Sequence, residues 1–200
     1  TGFAVEITDL VDREGENLLT VQLDTREDPT IPPFGFVIDY LTYGGLYREV
    51  WLEATAESRL TDLFVYTPTL QEAVVQWTAE LTPAAAAVRI RLENADGALL
   101  AEQTAPVAET GKMQLSVPEA QPWDTEHPVL HHAIAELLNA AGQPIDRKQV
   151  TFGFRTAEFR ADGFYLNGKK TFLRGLNRHQ SYPYIGYAAP CLLYTSDAAD

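Results

Sequence analysis

The chain has 200 residues, room for one to two ordinary domains, and its apolar share (46%) and charged share (22%) exclude a disordered protein. Its 28 acidic side chains against 15 basic ones give a net charge of −13 with no basic cluster, which argues against nucleic acid and anionic membrane surfaces as partners. No apolar run approaches the roughly 20 residues of a spanning helix, and the single Cys191 excludes an internal disulfide or a cysteine-built metal site.

The chain opens in mid-pattern at Thr1, so a true N-terminus further upstream is expected. Cytoplasmic location is favoured, with secretion left open. Residues 3–10 (FAVEITDL) alternate apolar and polar and predict a half-buried strand. Asp12 to Asn17 reads as a polar turn, and residues 18–25 (LLTVQLDT) predict the return strand. Prolines at 29, 32 and 33 forbid regular structure from Arg26 to Gly35. Beyond the aromatic YLTYGG at 40–45, LYREVWLEA predicts another strand.

From Thr55 the texture changes. Strands are predicted over 60–67, 72–81, 88–93 and 113–117, separated by Pro68, Pro83 and the turn Asn94-Ala-Asp-Gly97. Residues 129–138 (VLHHAIAELL) fit helix or strand by periodicity. Strand is chosen because Gly142-Gln-Pro144 makes a hairpin turn into a strand over 146–154. About seven short strands with regular turn signals argue a β-sandwich of immunoglobulin type; the run Ala84 to Ala87, favouring helix, fits it least well. Asp162-Gly163 and Asn167-Gly168 punctuate a further hairpin, and FLRGLNRHQ at 172–180 reads as a short apolar strand ending in polar groups. Strand ends of that kind carry the chemistry of α/β barrels. The final stretch CLLYTSDAAD, from Cys191 to Asp200, breaks the preceding pattern and is similar to the translation of a transposase mosaic-end adapter. It is set aside from fold reasoning, and the chain is expected to be an internal piece of a longer protein.

Four blocks in order carry a family likeness: FAVEITDL…GENLLTVQLD, IDYLTYGGLYREVWLE, WDTEHPVLHHAIAELLNAAGQPIDRKQVTFGFRT and FYLNGKKTFLRGLNRHQSYPYIGY. They cover nearly all of residues 1–190, and the chain resembles glycoside hydrolase family 2, particularly its β-galactosidase-like members. The resemblance implies a mainly β chain in three parts. Residues 1–53 would be the C-terminal part of a jelly-roll, sugar-binding-like sandwich, and residues 54–155 an immunoglobulin-like β-sandwich. Residues 156–190 would be the start of a truncated (β/α)8 catalytic barrel, with Phe172 to His179 as its first strand.

The same resemblance nominates substrate-binding residues. His179 matches the family's Asn-Arg-His-Glu/Gln motif at the end of barrel strand 1, where an imidazole hydrogen-bonds ring hydroxyls. The alternative is a histidine capping the strand end. Asp39 lines up with an aspartate that reaches from the jelly-roll into the active site, with an ordinary turn aspartate as the alternative. Asn177 and Arg178 share the strand end, though Arg178 also suits pairing with a barrel carboxylate. Tyr40, Tyr43, Tyr182 and Tyr184 suit stacking on sugar faces, or plain packing. Arg48 and Arg155 read as structural. His127, His131 and His132 are not expected to form a metal site, since adjacent strand residues point to opposite faces.

No catalytic residue is expected within the chain: a retaining glycosidase needs two carboxylates about 5 Å apart, and the family layout places both on later barrel strands. The implied partner is a β-galactoside or related oligosaccharide. No cofactor is implied for this segment, a monovalent or divalent cation and homo-oligomerisation being left open for the full-length enzyme. β-Glucuronidase, β-mannosidase and a non-catalytic carbohydrate-binding sandwich remain as alternatives.

Overall fold

A computed structural model describes residues 3–24, 26, 28, 30, 44–175, 182, 184–186 and 188. The chain divides into two units, Glu53–Gly175 and a second made of Thr1–Leu52 with Leu176–Asp200. Among the described residues there are ten strands and no helix, all of the strands in the first unit.

Seven strands build a two-layer sandwich. They are β1 (Arg59–Thr69), β2 (Glu72–Glu80), β3 (Ala87–Asn94), β4 (Leu99–Pro106), β5 (Thr110–Ser116), β6 (His131–Leu138) and β7 (Pro144–Phe152). One sheet has the order β1-β2-β5, the other β4-β3-β6-β7, and every pairing is antiparallel. The chain crosses between layers after β2, β4 and β5, which is the Greek-key logic of an immunoglobulin-like sandwich.

Alternation explains which side chains meet between the sheets. Ala73, Val75, Trp77 and Ala79 point inward from β2, Val88, Ile90 and Leu92 from β3, Met113 and Leu115 from β5, and Ala133, Ala135 and Leu137 from β6. On β1 the inward positions Leu60 and Leu63 are three apart, and a register shift between Leu60 and Asp62 keeps both in the core. Such an extra residue costs one ladder position and re-aims the strand without losing burial. Thr61, within the shift, accepts a hydrogen bond at its carbonyl from Lys148 Nζ at 2.6 Å.

The central strand β6 is buried on both faces, with Ile134, Glu136 and Leu138 covered on the outward side. A strand without an exposed face shows no alternation, which is why periodicity alone left 129–138 ambiguous. Glu136, with a side chain 8% exposed, lies under two arginines: Arg89 donates Nε (2.8 Å) and Nη2 (2.6 Å) to Oε2, while Arg91 Nη2 stands 3.7 Å from Oε1. The alanine run at 84–87 is the lead-in to β3 rather than a helix. Ala86 donates its N–H to Leu138 O at 2.7 Å and accepts from Val107 N at 3.1 Å.

Strand β4 is absent from the sequence expectation. It is an edge strand, mostly exposed, whose inward positions include Ala101 and Ala105 and which ends at Pro106. Small inward residues leave little alternation to read, and proline is tolerated because an edge strand has a side with no ladder.

Other expectations are corrected. Residues 3–10, 18–24 and 46–54 carry no strand: the segment is a turn at Thr8–Leu10 and otherwise irregular, with Phe3, Val5 and Leu19 exposed. Alternation specifies a face, but a strand exists only where neighbouring backbone completes a ladder of hydrogen bonds. The predicted turn within the segment is present. Asn17 closes it, accepting from Asp12 N at 2.8 Å and donating to Asp12 O at 2.6 Å.

After β7 come β8 (Ala157–Arg160), β9 (Gly163–Leu166) and β10 (Lys169–Thr171), a small antiparallel sheet of order β10-β9-β8. Phe172 to Gly175, predicted to open the barrel strand, carry no strand, and Phe172 and Leu173 are exposed.

Candidate functional site

Asp39, Asn177, Arg178 and His179 all lie outside the described residues, as do Tyr40 and Tyr43. What can be built is the approach to the predicted strand end, from the last sandwich strand through the small sheet.

That approach is tied to the sandwich at three points. Phe154 is fully buried, and its carbonyl accepts from Trp123 N at 2.8 Å across a parallel bridge between Pro122 and Phe154. Gly153 allows this closeness, since a Cβ there would sit 2.5 Å from Trp123 Cβ. Arg155 lays its guanidinium 4.7 Å from the Trp123 ring centroid, and its backbone meets β1: Thr67 Oγ1 donates to Arg155 O at 2.5 Å and accepts from Arg155 N at 3.2 Å. The structural reading of Arg155 matches this geometry. Arg48 stands 5.6 Å from the Tyr47 ring centroid in the second unit.

Asn167 supplies the third tie. With φ 51° beside Gly168 at φ 76°, it forms the two-residue hairpin turn between β9 and β10. Positive φ at both positions matches the right-handed twist of the strands, which is why an Asn-Gly pair suits it. Its side chain also accepts from Thr156 N at 2.9 Å and donates to Trp123 O at 2.9 Å, while its N–H reaches Thr156 O at 2.9 Å. One residue thus makes the turn and fastens the small sheet to the Trp123 loop.

At the neighbouring turn, Asp162 accepts from Tyr165 OH at 2.8 Å and from Lys170 Nζ at 3.1 Å. These bonds, the tyrosine's first, hold its carboxyl below the ordinary value.

The histidines occupy separate environments. His131 points into the core, 2% exposed, with its ring edge-to-face on Phe154 at 5.0 Å, and its Nδ1 has no hydrogen-bond partner. Burial, followed by the adjacent His132, pushes its pKa below the usual 6.5. His132 faces outward, its Nδ1 3.3 Å from Thr151 Oγ1, so the adjacent pair does project to opposite faces. His127 is exposed beside Asp124, whose carboxylate accepts from the N–H groups of Glu126 and His127. In the second unit Tyr182 exchanges backbone hydrogen bonds with Gly186, and Tyr184 is fully exposed at φ 68°.

The outward face of β1-β2-β5 holds a feature that the sequence reading passed over. A groove of about 400 Å³ is lined by Asp62, Phe64, Gln76, Thr78, Thr110 and Lys112, among others. Its signal in the sequence was the pair Phe64 and Tyr66, two aromatics on the outward positions of a strand whose inward positions are filled by Leu63 and Val65.

With this geometry in hand, three relatives are informative. The chain is 35% identical to a β-galactosidase of Thermoanaerobacter pseudethanolicus over an alignment covering 99% of this chain and 28% of the relative. It is 31% identical to a putative β-glucuronidase of Formosa agariphila, covering 98% of this chain and 24% of that one. A solved structure of Bacteroides uniformis β-glucuronidase 3 superposes with a TM-score of 0.70 at 26% identity, over 85% of this chain and 22% of that one. The chain spans about a quarter of the length of the curated relatives it matches. The sandwich is therefore that of a glycoside hydrolase. Within that class the chain belongs to glycosyl hydrolases family 2, whose model matches residues 58–155.

Proposed function

We propose that the protein carrying this chain is a retaining exo-β-glycosidase that removes terminal β-D-galactosyl residues. The observation that carries this reading is the 35% identity to a β-galactosidase along 99% of the chain. The ordered motifs ending in Asn177, Arg178 and His179 support it.

On this reading residues 1–53 are the last part of a jelly-roll domain, 54–155 the sandwich, and 156–190 the entrance to the catalytic barrel. His179 and Asn177 hydrogen-bond sugar hydroxyls at the end of the first barrel strand, Asp39 accepts from a further hydroxyl, and Arg178 orients that cluster or pairs with a barrel carboxylate. The chemistry is a double displacement. A carboxylic acid protonates the leaving oxygen while a carboxylate about 5 Å away attacks the anomeric carbon, and water then hydrolyses the glycosyl-enzyme. Those two glutamates are assigned to later barrel strands, so these 200 residues alone are inactive on this reading.

β-Glucuronidase is the second reading, favoured by the Bacteroides uniformis superposition. The experiment is to express the protein from its extended reading frame and compare kcat/KM for aryl β-D-galactoside, β-D-glucuronide and β-D-mannoside. The galactoside is expected to lead, with His179→Ala lowering its kcat/KM by about 10²-fold or more. A leading glucuronide overturns the substrate, and turnover by the 200 residues alone overturns the division of labour.

A further inference from the structure

Polar side chains on the outward faces of the sandwich are mostly paired, Arg59 with Glu80 and Gln114 with Glu72 on β1-β2-β5 among them. On β4-β3-β6-β7 they are spent on one another: Arg89 on Glu136, Arg91 beside Glu93, Arg147 on Gln149, His132 on Thr151. On β1-β2-β5, Asp62, Gln76, Thr78, Thr110 and Lys112 make no side-chain hydrogen bond or ion pair among the described residues, although all five line one groove. Strand register arranges the lining as two adjacent rows. Phe64, Gln76 and Lys112 lie across from one another in one, Asp62, Thr78 and Thr110 in the next.

We propose that this groove is a second carbohydrate-binding site, taking one or two rings of a neutral oligosaccharide. A sugar ring has an apolar C–H face and a rim of hydroxyls that both donate and accept. The groove offers the complement of each. Phe64 is 55% exposed and supplies a bare aromatic face, which Tyr66 extends with its ring centroid 6.1 Å away and its plane tilted by 32°. Asp62 supplies acceptors, Lys112 donors, and Gln76 and the two threonines supply both. The volume falls in the range of small-ligand sites.

Charge selects the class of ligand. The lining holds one carboxylate and one ammonium, which cancel, and the chain's net charge of −13 repels a polyanion. The groove shares no residue with the cluster at Asn177 to His179. It is independent of the catalytic assignment, and a protein that hydrolysed no galactoside would retain it.

The test titrates the 200-residue chain with lactose, galactobiose and cellobiose, with glucuronate as the anionic comparison, by calorimetry or saturation-transfer NMR. Saturable binding of a neutral sugar is expected. Phe64→Ala should weaken it by about threefold to tenfold, and Phe159→Ala, at an exposed ring outside the groove, should leave it unchanged. Gln76→Ala and Lys112→Ala carry the same test should Phe64→Ala lower the melting temperature. Absence of saturable binding by any neutral sugar overturns the site, as does equal affinity in all three groove variants. Tighter binding of glucuronate overturns the ligand class. Self-association abolished by Phe64→Ala would assign the groove to a second copy of the chain and likewise overturn the proposal.

Discussion

Asn167 concentrates two demands on one side chain, a left-handed backbone and hydrogen bonds to two different loops. Alanine at this position would lose the bonds to Thr156 N and Trp123 O and would sit at φ 51° with no local compensation. Two partly buried hydrogen bonds at about 1 kcal/mol each, plus conformational strain, put the cost of Asn167→Ala at about 2–4 kcal/mol. Asn167→Gly relieves the strain alone and should recover only part of that loss, a difference that denaturant titration of the two variants resolves. The Asn-Gly turn was legible in the sequence because its dihedral requirement is local. The second role was not, because Trp123 and Thr156 are 44 and 11 residues away and nothing in the string FYLNGKK names them. His131 makes a further prediction at this scale. It is buried neutral in the fold and free to charge in the unfolded chain, so unfolding takes up a proton below the usual pKa of 6.5. Its contribution is fully present above that value and is lost as pH falls through the lowered folded value. Melting temperature should therefore decline as pH drops from about 7 to 5. His131→Phe, which keeps an aromatic ring beside Phe154, should flatten that decline. The carboxylates with lowered values, Asp24, Asp28, Asp124 and Asp162, act only further into acid, below their ordinary 3.8.

At the level of elements, β6 concentrates the sandwich's risk. Its inward side chains are His131, two alanines and a leucine, and its outward side carries Glu136 beneath Arg89 and Arg91. Glu136→Ala leaves the Arg89 guanidinium partly buried without its carboxylate, while Arg91 keeps Glu93, and should cost about 3 kcal/mol. The double change Glu136→Leu with Arg89→Leu should recover most of this, and a thermal melt of both variants decides. The comparison tests whether the pair adds net stability or merely avoids an uncompensated charge. Elements with bulky alternating interiors, such as β2 and β3, were legible in the sequence because period-2 burial leaves a direct trace. Strand β4 was not, since its interior is filled by Ala101 and Ala105. The reverse error arose over 3–24, where clean alternation predicted strands that the described backbone does not form. Periodicity reports which side chains share a face; whether a neighbouring strand exists is a non-local fact.

At the scale of the molecule, Glu53–Gly175 contains every strand and the contiguous core described. A polypeptide of residues 53–175 should therefore unfold in a single cooperative transition, with coincident fluorescence and circular dichroism midpoints. Non-coincident midpoints, or a disordered spectrum, would show that the sandwich depends on the remainder of the chain. Among the substrate-binding expectations, Asp39, Asn177, Arg178 and His179 came from motif likeness, while the groove beside Phe64 came from register. The motif string names residue types at a strand end, whereas a groove needs three strands side by side, and β1, β2 and β5 are brought together only by the fold.

The ties between the first and last strands set a timetable. Thr67 bonds Arg155 across 88 residues, Lys148 bonds Thr61 across 87, and Leu60 bonds Asp146 across 86. Contacts of such separation make closure slow, in the range of milliseconds to seconds for sandwiches of this kind. During synthesis the edge of β1 therefore waits, unsealed, until Arg155 has left the ribosome. The groove rows shared by β1, β2 and β5 need only the chain up to Ser116. The face that offers its polar groups outward can thus be assembled while the clasp that secures it is still being translated.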